Sequence, residues 1–187
     1  PFSCGTSITR TASVLPTVQK LSDVDVAGGT VADDSATKII DRNGKPITTS
    51  GAPTFGFGLD YSLPQFNPLK LTSGRWPSKP DEVVIDSGTA GDQNYKLGDT
   101  VRVATLKPVR PFTLVGIAQY GTVGSIGSAT FATFTLPAAQ ELLDRKGQLD
   151  AISVSAKSGV SQDELVSQIK QVVPLNTSRD IDTFGGA

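Results

Sequence analysis

Histidine and methionine are missing from this 187-residue chain, and cysteine occurs once, at Cys4. Without an imidazole the chain has no Ser-His-Asp triad, no histidine general base and no histidine-ligated zinc. A single cysteine excludes an intrachain disulfide and a CxxC redox or zinc pair. We interpret Cys4 as a lone thiol close to a chain end, with lipidation or an intermolecular bond as the alternative.

Neither sign of charge is in excess, because 17 lysines and arginines balance 18 aspartates and glutamates. A protein that binds nucleic acid usually carries a basic excess or a basic stripe, so we expect no nucleic-acid partner. Apolar runs stay well below the roughly 18 residues that a membrane span needs. The chain begins at Pro1 with no signal-peptide pattern, so we expect a fragment of a longer protein.

Short strand patterns dominate the chain, and hydrophobic residues, at 37%, are numerous enough to form a core. Pro137 opens a helix predicted over 137–145, since proline fits the first helical turn. Ser161 and Glu164 form a capping box, which predicts a second helix up to Pro174. Predicted strands cover residues 24–32, 37–41, 53–61, 82–85, 100–104, 112–117, 131–135 and 152–156.

These patterns predict an α+β fold with a mixed two-subdomain architecture, in a single domain of residues 1–187. From residue 131 onward the predicted order is β-α-β-α. We expect an α+β subdomain from about 9–60 and 129–176, with a mostly-β subdomain inserted at about 61–128. Such an insertion brings both chain ends to one subdomain, which suits a domain tethered by a membrane helix at each end.

Catalytic patterns in the chain are weak. Ser35 and Lys38 match the S-x-x-K motif of serine penicillin-recognising enzymes, but that chemistry needs the serine at a helix start, and a strand pattern follows here. Residues 121–127 space three glycines as G-x-x-G-x-x-G, but no helix N-terminus follows to hold a phosphate. Paired aspartates, interpreted as solvated charges, occur at Asp23/Asp25, Asp33/Asp34 and Asp180/Asp182. We therefore predict no enzyme, no catalytic residue and no metal site.

Five aromatic residues lie within about two dozen positions and include the single tryptophan of the chain. They are Phe55, Phe57, Tyr61, Phe66 and Trp76. Aromatic side chains can form a platform for a sugar, a peptide or a partner protein, so these five are the candidate ligand or partner surface. The alternative is that they pack in the core or between the subdomains.

Residues 69–119 contain several short motifs in a distinctive order and spacing. Residues 74–77 read GRWP and residues 80–85 read PDEVVI, followed by LGDTV at 97–101 and FTLVGI at 112–117. This order resembles the extracytoplasmic domain of MacB/FtsX-type ABC transporter permeases, over roughly residues 10–175. Asp81 stands where the family usually has glycine. A later family pattern matches Ala139, Leu142, Gly147, Asp150, Ile152 and Val154.

The resemblance implies a non-catalytic domain on the outer face of the bacterial cytoplasmic membrane, extracellular or periplasmic. It implies no cofactor in this domain, because a separate cytoplasmic ATPase subunit or domain uses the ATP. The implied partners are the permease's own transmembrane helices, that ATPase, and a second permease copy or a homologue of it. The domain is expected to recognise or guide a substrate or partner and to move with the transmembrane helices.

Two other functions remain as alternatives at this point. A secreted sugar- or peptide-binding module would use the aromatic residues from Phe55 to Trp76 and would bind its ligand without a membrane. A hydrolase would use Ser35 with Lys38, or a pair of carboxylates.

Overall fold

The computed structural model describes residues 5–6, 10–47, 49, 51–121 and 129–173. The strands are β1 (Gly5–Thr6), β2 (Arg10–Thr11), β3 (Val24–Asp33), β4 (Lys38–Ile40), β5 (Thr54–Leu59), β6 (Leu69–Gly74), β7 (Glu82–Asp86), β8 (Thr100–Ala104), β9 (Arg110–Tyr120), β10 (Thr130–Thr135), β11 (Gln148–Leu149) and β12 (Ala151–Ala156). The helices are α1 (Val14–Gln19), α2 (Ser87–Asp92), α3 (Leu136–Leu142) and α4 (Gln162–Val172), with a 3₁₀ turn at Pro64–Phe66.

The described residues form two compact units, and the chain passes between them four times. The first unit contains the residues up to Val31, the segment Ser62–Phe66 and the residues from Gly147 on. The second unit contains Ala32–Tyr61 and Asn67–Lys146.

In the first unit, β12 lies between β1 and β3 and is antiparallel to both. Helix α4 packs against α1 and begins at the predicted capping box, where Ser161 and Glu164 exchange side-chain and backbone hydrogen bonds. Small residues of β3 leave room for close packing. A Cβ on Gly28 would lie 2.5 Å from Cδ1 of Leu63, and one on Gly29 would lie 2.6 Å from Cδ1 of Leu149.

The sheet of the second unit has the order β5-β10-β7-β9-β8-β4. Pairs β5/β10 and β7/β9 are parallel, whereas the other neighbours are antiparallel. Strand β9 also pairs with β6 over its second half, after pairing with β8 over its first. Its central partner β7 is buried at every position, as expected for a strand whose two faces are both covered.

Both helices of the second unit start at a side-chain cap. Thr135 caps α3, which carries the expected proline in its first turn and packs against β5 and β10. Asp86 caps α2 by accepting a hydrogen bond from the Thr89 backbone N–H at 2.7 Å, and α2 packs against β7 and β9. The hydroxyl of Thr89 is buried and has no hydrogen-bond partner among the described residues.

The structure confirms the α+β class, but it contains four strands that were not predicted, namely β6 and the two-residue strands β1, β2 and β11. Strand β6 was not predicted, because its pairing partner β9 is about 45 residues away and its own sequence ends in Ser73 and Gly74. The two units also divide the chain elsewhere than the predicted subdomains, about 9–60 with 129–176 and about 61–128. Strand β10 pairs with both β5 and β7, so residues 32–60 and 129–146 join the middle of the chain. As independently folding parts, the predicted subdomains stay a prediction.

Candidate functional site: an aromatic face on the second unit

Alternation along β5 separates two kinds of side chain. Thr54, Gly56 and Gly58 point to one face of the sheet and are buried, whereas Phe55 and Phe57 point to the other and are half-buried. A Cβ on Gly58 would lie 2.3 Å from Cβ of Ala139, so helix α3 covers the glycine face. Glycine therefore allows close helix packing on one side, and phenylalanine occupies the other.

The half-buried side rests on a buried apolar layer, made by residues from five strands. These are Leu59, Leu69, Val84, Ala118 and Phe131. The partly exposed residues packed on that layer are Phe55, Phe57, Tyr61, Leu71, Trp76 and Val115. We call the four aromatic members, Phe55, Phe57, Tyr61 and Trp76, the aromatic face.

Aromatic rings pair within this face. Phe55 and Phe57 stack with their ring centroids 5.8 Å apart, and Phe57 meets the buried Phe131 at 6.2 Å in a tilted arrangement. Tyr61 and Trp76 stack more closely, with centroids 4.7 Å apart and rings 7° from parallel. Such pairs contribute to stability beyond their buried area, and the four rings together form an apolar platform.

Tyr61 is fixed from below by polar contacts. Its hydroxyl donates to the Phe134 carbonyl oxygen at 2.8 Å and shares a hydrogen bond with the Thr133 hydroxyl. Burial raises the pKa of Tyr61 above its ordinary value, and the Thr133 hydrogen bond only partly offsets this. Tyr61 is therefore a neutral, oriented ring rather than a titrating group.

Trp76 lies on a loop that closes around Glu82, the first residue of β7. The Glu82 carboxylate is buried and accepts hydrogen bonds from the Arg75 guanidinium and from the backbone N–H groups of Ser78 and Lys79. The hydrogen bonds from Arg75, then those from the backbone, lower the pKa of Glu82 to about 2. The sequence analysis did not identify the Arg75–Glu82 pair. The sequence indicates this pair only by a glutamate that opens an apolar strand pattern seven residues after an arginine.

Four of the five predicted surface residues come together, and the fifth does not belong to the same unit. Phe55, Phe57, Tyr61 and Trp76 share the aromatic face. Phe66 belongs to the first unit, where its ring would lie 3.4 Å from a Cβ on Gly28. Proximity in sequence grouped Phe66 with the others, but the chain changes units at Ser62.

The weak catalytic motif has a structural role. Ser35 donates its hydroxyl to Asp33 at 3.2 Å, and Lys38 lies on β4 rather than one helical turn after the serine. Burial would raise the pKa of Asp33, but hydrogen bonds from Thr37, Ala36 and Ser35 outweigh it and lower the pKa. The carboxylate therefore organises the turn before β4.

Other candidate features are absent or lie outside the described residues. Within the described ranges no group of three or more His, Cys, Asp or Glu side chains is placed to hold a metal ion. Cys4, Asp180, Asp182 and most of the glycine-rich segment 121–127 lie outside those ranges. The helices that the structure describes include none long and apolar enough to cross a membrane.

Comparison with known proteins identifies the family. The model of the MacB-like periplasmic core domain matches residues 5–172, which is most of the chain. The chain belongs to this family. The resemblance found in the sequence is thereby confirmed. As a MacB-like periplasmic core domain, the chain is an extracytoplasmic part of an ABC transporter permease.

Solved structures share the fold of this MacB-like domain. The periplasmic region of MacB from Actinobacillus actinomycetemcomitans is 18% identical with a TM-score of 0.60, and the match covers 93% of this chain and 78% of that one. The extracellular domain of the noncanonic ABC-type transporter YknZ from Gram-positive bacteria is 12% identical with a TM-score of 0.64, covering 95% and 90%. A domain of a putative permease from Porphyromonas gingivalis is 16% identical with a TM-score of 0.59, covering 97% and 86%.

No match is found among curated protein sequences. Family membership implies a place in an ABC transporter that has transmembrane helices and an ATPase. It favours that setting over a secreted sugar- or peptide-binding module.

Proposed function

We propose that this MacB-like domain recognises an apolar part of the transported molecule, or of a transporter partner, through its aromatic face. The observation that carries the proposal is the aromatic face itself. Its four rings are half-buried and oriented, and they lie on the side of the sheet opposite α3. A preformed platform of aromatic and aliphatic side chains suits an apolar ligand, because little ordering is needed on binding.

The proposed role is non-catalytic. Ser35 is engaged with Asp33, and the tyrosine of the aromatic face is held neutral by burial. The titrating groups of the face's loop, Arg75 and Glu82, bind each other. None of these groups is free to act as a nucleophile or a general base.

The domain is further proposed to transmit movement that ATP hydrolysis drives in the transmembrane helices. Described residues from both the N-terminal and C-terminal parts of the chain belong to the first unit, so movement of flanking segments would reach that unit first. The proposed partners are the permease's own helices, the cytoplasmic ATPase, and a second permease copy or homologue. No cofactor is proposed for the domain itself, because the ATPase uses the nucleotide.

Binding can be tested with the neutral apolar dye N-phenyl-1-naphthylamine as the probe. We expect the 187-residue chain to bind the dye saturably, and Phe57→Ser and Trp76→Ala each to weaken binding at least fivefold. Leu106→Ser is the matched control, because Leu106 is an exposed apolar side chain, 59% accessible, outside the aromatic face. Equal affinity in all four proteins would contradict the proposal.

Movement can be tested in the complete transporter. A nitroxide label at Lys70→Cys, an exposed position on β6, would be placed on both permease copies after Cys4 and any other reactive cysteine of the transporter have been replaced by serine. We expect the label-to-label distance, measured by pulsed electron paramagnetic resonance, to differ between the nucleotide-free and the vanadate-trapped states. An identical distance distribution in both states would overturn mechanical transmission through this domain.

A further inference from the structure

Trp76 lies on an exposed loop between β6 and β7, outside any helix or strand. It follows Gly74, which ends β6 with a φ of +78°, and precedes Pro77 and a turn of exposed residues. Its ring stacks on Tyr61 and packs against the buried apolar layer, but these contacts act on the side chain and not on the backbone. Something else must fix the backbone of this loop for Trp76 to remain in position.

The buried carboxylate of Glu82 supplies that fixation from inside the loop. Its Oε2 accepts from the backbone N–H of Ser78 at 2.8 Å and of Lys79 at 3.2 Å. It also accepts from Nη1 of Arg75 at 2.8 Å, while Oε1 accepts from Nη2. A carboxylate that accepts from both terminal nitrogens of a guanidinium and from two backbone N–H groups fixes these donors relative to one another.

Arg75 extends this contact to Trp76. Its Nη1 also donates to the Trp76 carbonyl oxygen at 3.1 Å, and its backbone N–H donates to the Val115 carbonyl oxygen at 2.9 Å. The guanidinium therefore links the buried carboxylate, the Trp76 backbone and strand β9. The Glu82 side chain is only 6% exposed, whereas that of Arg75 is 53% exposed.

We propose that Glu82 is a positioning residue, which acts through Arg75 to hold Trp76 against Tyr61 in the orientation that the apolar ligand meets. This inference rests on the proposed binding function of the aromatic face. The deciding property is the acceptor-only chemistry of the carboxylate. A glutamine of the same size has one acceptor oxygen and an NH₂ group, which would confront the N–H donors of Arg75, Ser78 or Lys79.

The single tryptophan makes the position of Trp76 directly measurable. In the 187-residue chain, Glu82→Gln is expected to raise acrylamide quenching of Trp76 fluorescence at least twofold and to weaken the near-ultraviolet circular dichroism of the stacked rings. It is expected to weaken dye binding as much as Trp76→Ala does. Glu141→Gln is the matched control, because it removes another Arg–Glu pair of the second unit, at 3.1 Å from Arg110.

Arg75→Gln covers the case in which Glu82→Gln does not fold. It removes the guanidinium at an exposed position and leaves the Ser78 and Lys79 hydrogen bonds to Glu82, so folding is expected to persist. The same increase in quenching is expected. Arg75→Lys should restore less than half of the wild-type dye affinity, because an ammonium cannot reproduce the two-pronged contact.

The outcomes separate this inference from the proposed function. Unchanged quenching and circular dichroism in Glu82→Gln and Arg75→Gln would overturn the positioning role, whatever happens to dye binding. Increased quenching with weaker dye binding supports it. If Trp76→Ala itself binds the dye normally, the proposed function fails, and Glu82 then has no ligand-related role even where it orients the ring.

Discussion

The two faces of strand β5 differ in what packs on them. On one face Gly56 and Gly58 let Thr37 and Ala139 approach so closely that an added Cβ would lie within 2.3 Å of each. On the other face, opposite α3, Phe55 and Phe57 stay half-buried and stack on each other. The covered face is built for stability, whereas the aromatic face keeps apolar area available for contact.

The difference teaches that one strand can serve two purposes through its two-residue period. Substitutions at alternate positions should therefore separate stability from binding, even between neighbours in sequence. The covered face should respond mainly in the free energy of unfolding. The aromatic face should respond mainly in affinity for an apolar probe.

The largest expected effect comes from a matched pair of Phe→Ala changes on the two faces. Phe134 is fully buried on the covered face, so Phe134→Ala should lower the free energy of unfolding by about 3–5 kcal/mol. Phe55→Ala should lower it by less than about 2 kcal/mol, because that ring is partly exposed already. Urea denaturation followed by far-ultraviolet circular dichroism measures both, and equal losses would break the comparison.

A smaller loss is expected for Gly58→Ala. The added methyl group would meet Cβ of Ala139 at 2.3 Å and Cα of Leu136 at 3.3 Å, which forces α3 away from β5. Overpacking of this kind costs about 1–3 kcal/mol. Gly91→Ala in α2 is the control, since a Cβ there meets nothing within 4 Å. The same urea titration should show the control unchanged or slightly more stable.

Removing a buried hydroxyl that has no hydrogen-bond partner should raise the free energy of unfolding by about 1 kcal/mol. Thr89→Val replaces a buried hydroxyl, which has no partner in the part of the chain that the structure describes, by a methyl group of similar shape. The thermal unfolding midpoint should rise, and dye binding should not change because Thr89 is outside the aromatic face. A lower midpoint would indicate that the hydroxyl has a partner after all.

The smallest expected effect on stability comes from protonation of Glu82, and it is seen only at acidic pH. Its pKa in the folded chain is about 2, below the ordinary value of 4.5, so its contribution to stability is present above pH 4.5. That contribution is lost as the pH falls from 4.5 towards 2. Stability against pH should therefore be shallower for Glu82→Gln than for the unmodified chain within this window. Parallel curves would show that Glu82 has an ordinary pKa.

Local signals predicted the parts of the fold that depend on neighbouring residues. The capping box at Ser161 and the proline after Thr135 each specify a helix start from a few positions, and both helices begin there. The strand predicted over residues 53–61 is likewise present, as β5.

The rest of the fold depends on pairing between strands far apart in sequence, which local patterns do not predict. The division into units depends on β10 choosing β5 and β7 as neighbours, and nothing within residues 130–135 specifies those partners. Proximity in sequence grouped the five candidate surface residues, and four of them share one face of the second unit. No local pattern indicates that the chain leaves this unit between Tyr61 and Phe66. The Glu82 contact was missed for a different reason, because a glutamate at the start of a strand is usually exposed, whereas Glu82 is buried.

Segment Ser62–Phe66 belongs to the first unit but interrupts the second unit in sequence, and this limits which parts such domains can exchange during evolution or in engineered hybrids. Replacing residues 32–146 in one piece with those of a relative would also import a foreign segment at 62–66. That segment must fit Gly28 of the recipient, where Cδ1 of Leu63 lies within 2.5 Å of the position that a Cβ would take. Productive chimeras should therefore keep the recipient's own residues 62–66, or inherit the strand around Gly28 together with them.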